Sequence, residues 1–132
     1  EHKSSRQEIR ALLAVASRNL ADAGIPELSA DGRFTFAYNA ALQVATAALA
    51  ASGFRAVREA HHYRTMQSLL FTMEVDASML GRLDFFRKKR NIAGYEQAGT
   101  ISDGEAEDMR DVAHGLADEF RKWLHAKHPE LE

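Results

Sequence analysis

The chain has 132 residues, a formal net charge of −2 from 17 basic and 19 acidic groups, and no cysteine. That length fits one domain, and burying roughly two-thirds of the unfolded surface of such a chain leaves one core sufficient without staples. Disulfides and thiolate metal sites are excluded, the lack of cysteine suits a cytoplasmic protein, and the near-neutral charge means that any phosphate site must be local.

The N-terminal Glu1-His2-Lys3-Ser4-Ser5 lacks the apolar core of a signal peptide. No apolar run approaches the ~20 residues of a membrane span, so no membrane partner is expected. Helical spacing then dominates the chain. Ile9, Leu13, Ala16, Leu20 and Ala23 define a first helix, which Gly24 and Pro26 terminate. Ser29 or Asp31 caps a second, running to about Ser52, with Gly53 ending it.

The second helix carries Phe34, Tyr38, Ala41, Val44, Ala45, Ala48 and Leu49 on one side, and further alanines over most of the rest. A helix so poor in large polar groups is expected at the centre of a bundle, with a face shared with a second subunit. Its one polar strip is Thr35, Asn39, Gln43 and Thr46. Residues 54–62 read as a loop or short turn holding Arg55, Arg58, His61 and His62. A short third helix follows, turning Met66, Leu69, Leu70 and Met73 inward. The fourth runs from about Asp76 to Gln97, and Gly99 ends it. The fifth opens on Ser102-Asp103-Gly104-Glu105, a capping-box pattern, and continues to near His128. The expectation is an all-α, up-and-down bundle of about five helices forming one domain over the whole chain.

On the fourth helix, at about 100° per residue, Leu83, Phe86 and Ala93 fall within roughly 40° of Met79. Arg90 lands roughly 20° from Met79, inside this apolar stripe. A guanidinium keeps its charge at neutral pH, so it needs partners or a wet cleft. One reading makes Arg90 a structural anchor between helices. The other makes Arg87, Lys88 and Arg90, within the densest run of positive charge in the chain, a phosphate-attracting site. Gly94, one turn on, leaves room for a ligand or another backbone. His61 and His62 lack an acidic partner at ligand spacing, and no metal or other cofactor is expected.

The stretch Arg90-Asn91-Ile92-Ala93-Gly94-Tyr95, late in a helix of a small bundle, resembles the signature of HEPN domains. The match is to a branch reading Arg-Asn-x-x-x-Tyr, where other members have Arg, four to six residues and His. The alanine-rich Phe34-Thr35-Phe36-Ala37-Tyr38-Asn39-Ala40-Ala41 and His61-His62-Tyr63-Arg64-Thr65-Met66 fit the same group. The resemblance implies a homodimer through the second and fourth helices, with the motifs facing each other across a cleft. It implies one of two roles. The first is a module that binds nucleotide or RNA phosphate, tied to a toxin–antitoxin system or a nucleotidyltransferase-like partner. The second is a metal-independent endoribonuclease toxin. In the latter, Arg90 would stabilise phosphorane charge, Asn91 would orient the phosphate, and Tyr95 would stand where active members have His. A phenol titrating near pH 10 is a poor general base, which favours binding over cleavage; Tyr95 would then act as an acid, place a ribose, or accept a nucleotide as a modification. A purely structural helical dimer is the third reading.

Overall fold

The computed structural model describes residues 4–54, 61–95 and 101–132; the side chains of residues 61–63, 70 and 91–95 lie outside that description. The described chain is an all-α bundle: α1 (Arg6–Ala23), α2 (Ala30–Ala51), α3 (His61–Gln67), α4 (Leu69–Thr72), α5 (Ala77–Tyr95) and α6 (Asp103–Lys127), closed by a short 3₁₀ turn (Pro129–Leu131).

Four helix starts are fixed by side-chain caps that occupy otherwise orphaned N–H groups. Ser5 accepts from Glu8 N, and Ser29, rather than Asp31, accepts from Gly32 N. Asp31 instead accepts the Ile101 N–H at 3.3 Å, tying the start of α2 to the entry of α6. At α6 both halves of the capping box form: Ser102 Oγ accepts from Glu105 N, and Glu105 accepts from Ser102 N, each at 3.0 Å. Asp76 starts α5, its carboxylate accepting from Met79 N at 2.8 Å. The far end of that helix, where Gln97 and Gly99 were expected to close it, lies outside the described residues.

The central helix is α2, packed along its length between α1 and α6, with α3, α4 and α5 against it as well. Phe34, Ala37, Tyr38, Ala40, Ala41, Val44, Ala45, Ala47 and Ala48 are fully buried. Thr35, Phe36, Asn39, Gln43, Thr46 and Leu49 form its half-buried strip. Alanine lets neighbouring backbones approach closely, and the core closes around it with Leu20, Met66, Leu69, Leu83, Met109, Leu116 and Phe120. One expectation needs correcting here. By length and composition α2 is apolar enough to cross a membrane, because many alanines raise its mean hydropathy without forming a run of large side chains. Of its most apolar window, 67% is buried inside the fold, as in a core helix.

The third expected helix is two. Ser68 separates α3 from α4, its hydroxyl donating to Thr65 O at 2.6 Å and so competing with the regular backbone pattern. Met66 and Leu69 are buried as expected and Met73 is half-buried. His61 and His62, expected as part of a loop or as an N-terminal helical pair, open α3. Arg55 and Arg58 lie outside the described residues.

Candidate functional site

Helix α5 lays one stripe against α2, α3 and α4. Leu80, Leu83 and Phe86 are buried, Met79 is half-buried, and Phe86 meets Phe34 of α2 edge-on at 5.7 Å between ring centroids. Arg90 sits one turn beyond Phe86 on the same stripe and is half-buried. Its guanidinium carbon lies 5.4 Å from the centroid of the Tyr38 ring, above the face of that fully buried side chain. The negative face of the ring is what receives the charge that the stripe would otherwise bury against aliphatic carbon.

The neighbouring cations are handled differently. Arg87 Nε donates to Asp84 Oδ1 at 2.9 Å, and Lys88 Nζ lies 3.4 Å from Asp84 Oδ2. Lys89 Nζ reaches Glu105 Oε2 of α6 at 3.2 Å. Among the described residues Arg90 has no carboxylate partner. Among the described residues the cluster therefore holds four cations against two carboxylates, an excess of two positive charges.

The titrating groups respond to this field. Desolvation works to raise Asp84, but the hydrogen bonds and charges of Arg87 and Lys88 outweigh it and hold the carboxyl below its usual range. Glu105 is held low first by the Ser102 backbone N–H and then, against desolvation, by Lys89. Burial pushes the Tyr38 phenol up to about 12, even though Arg90 and Arg87 pull it down. Tyr38 thus keeps its proton throughout the neutral range. It can carry a cation on its ring but cannot serve as a base.

Of the residues expected in the site, the structure brings Arg87, Lys88 and Arg90 onto one end of α5. It divides them: Arg87 and Lys88 share Asp84, while Arg90 faces Tyr38. Asn91 and Tyr95 continue the helix, and their side chains lie outside the described residues. Tyr38 is the residue that sequence reasoning missed. It was placed on the apolar side of the second helix, but helical spacing cannot show which helix its ring faces. The Asp84 pairs were visible as spacings of three and four. Among the described residues, no three His, Asp or Glu side chains are placed to hold a metal ion. No family model, curated protein or solved structure matches the chain.

Proposed function

We propose that this chain is a HEPN-like helical module that binds the phosphate of a nucleotide or RNA through Arg90. The observation that carries the reading is the half-buried guanidinium above Tyr38, without a carboxylate partner among the described residues, beside three cations that each have one. A guanidinium carried on a ring face keeps its N–H edge for a phosphate, which accepts from two parallel donors. Arg87 and Lys88 add local positive field rather than direct recognition, since Asp84 already occupies them. In this reading the chain works as a homodimer through α2 and α5, in the cytoplasm, beside a nucleotidyltransferase-like partner of a toxin–antitoxin type.

The test is binding of a fluorescently labelled single-stranded RNA and of ATP, with chelator present, alongside thermal unfolding. Arg90→Ala is expected to weaken both ligands about tenfold, the size of a lost charge-assisted pair. Lys88→Ala should change affinity less than about threefold, as a screened surface charge does. Unchanged affinity in Arg90→Ala, together with lowered stability, would identify a structural anchor and end the binding reading. Cleavage of the RNA that depends on Arg90 would replace it with the endoribonuclease. Light scattering at micromolar concentration checks the dimer.

A further inference from the structure

At the end of the bundle where α4 meets α5, Met73, Glu74, Val75, Asp76, Met79, Glu119, Lys122 and Trp123 line a cavity of about 470 Å³ that opens broadly to the surface. Its floor is apolar. Met73, Val75, Met79 and Trp123 are half-buried and packed on the core. Trp123 is fixed in place by ring contacts with Phe120 at 5.7 Å and His128 at 5.0 Å. The rim is acidic, with three carboxylates, Glu74, Asp76 and Glu119, against one ammonium. That ammonium, Lys122, lies 3.9 Å from Glu119, so two negative charges are left in excess. Asp76 uses Oδ1 to cap α5, and its second oxygen takes no part in that cap. Glu74 stands in the left-handed region at φ 57°, a conformation that costs a non-glycine residue free energy.

We infer that this cavity binds an organic cation with an apolar body, an alkylammonium or quaternary ammonium group. An indole face attracts such a cation, the thioethers and Val75 cover its methylenes, and the rim carboxylates neutralise it without removing it wholly from water. A neutral apolar ligand would gain nothing from the rim, and an anion would be repelled by it. The shared chemistry admits two sources: a free small amine or an alkylated lysine side chain of a partner protein. This site lies apart from the Arg90 cluster and does not depend on its function.

Trp123 is the only tryptophan, so its fluorescence reports on this cavity alone. The chain would be titrated with hexyltrimethylammonium, hexanol and hexanoate, with calorimetry in parallel. Saturable binding of the ammonium, about tenfold tighter than hexanol and with no saturation by hexanoate, is expected. The double variant Glu74→Gly and Glu119→Gln should reduce that preference to about twofold. Both changes fall on exposed side chains, and glycine suits the backbone at 74. Equal affinity for hexanol and the ammonium, an unchanged preference in the folded double variant, or no saturation by either readout would each overturn the inference. A short peptide carrying trimethyllysine, compared with its unmethylated form, then separates the two sources. Tighter binding of the methylated peptide than of hexyltrimethylammonium assigns a partner protein, and the reverse assigns a free amine.

Discussion

Gly24 and Gly53 both end helices, and the same rule of sequence reading marks both as terminators, yet they are glycines for different reasons. Gly53 has φ 93°, where any side chain is strained. Gly24 has φ −93°, open to any residue. A Cβ there would instead come within 2.9 Å of the Arg110 guanidinium, which α6 lays against the end of α1. That helix has no basic residue in its last turn, so Arg110 brings the cation its dipole favours. The obstacle is the far end of a flexible side chain. Gly24→Ala should therefore displace Arg110 and change stability by no more than about 0.5 kcal/mol, the smaller unfolded ensemble offsetting the lost contact. Gly53→Ala should cost about 1 kcal/mol or more. Urea midpoints of the two variants check this, and equal losses would sink the distinction. Sequence alone could not separate the two, because the reason for Gly24 lies 86 positions away on another helix.

Among the elements, α6 was the most legible and α3 with α4 the least. The capping box at Ser102 and Glu105 is written within one turn of sequence, and it forms as read. Ser102→Ala should cost about 1 kcal/mol, measurable by chemical denaturation, with Glu105→Ala giving a smaller loss. The break at Ser68 depends on a hydroxyl choosing the Thr65 carbonyl, a choice that periodicity of apolar residues cannot report. Helix α2 lies between these cases. Its composition announced a central position, but only the fold shows how completely α1 and α6 close over it. Ala41 and Ala45 have no exposed surface, so a larger residue there has nowhere to go. Ala45→Leu is expected to destabilise by about 1–3 kcal/mol through overpacking, whereas Thr46→Leu on the half-buried strip should cost less than about 1 kcal/mol. Similar losses at the two positions would mean that α2 is not enclosed as described. The candidate site was legible only in part for the same reason. Its charges are contiguous in sequence, but the ring beneath Arg90 comes from α2.

For the molecule as a whole, the shifted groups set opposite trends with pH. Asp84 and Glu105 ionise more readily when folded than their ordinary values of 3.8 and 4.5. Over that range the unfolded chain binds more protons, so stability rises with pH; their contribution is complete above 4.5 and is lost as pH falls through the lower folded values. His125 runs the other way. Its hydrogen bond to Glu132, 2.8 Å between ring nitrogen and carboxylate, followed by the charge of that carboxylate, raises it above its ordinary 6.5. The folded chain then holds the extra proton, so this contribution is full below 6.5 and is lost as pH rises through the raised value. Being fully exposed, the pair is screened and its effect is small. It sits, however, in a cluster of contacts joining the two ends of the described chain: Arg6 Nη2 donates to Glu130 O and Arg10 Nη2 to Glu132 O, each at 3.5 Å. Urea midpoints between about pH 3 and about pH 9 should therefore show a plateau between the acid loss and a shallow decline above 6.5. His125→Gln should remove the decline and leave the acid limb in place, while Asp84→Asn should shrink the acid limb to the share of Glu105 and leave the decline. Were His125→Gln to steepen the loss at high pH, the terminal pair would be acting with the opposite sign, and its role in joining α6 to the end of the chain would have to be abandoned.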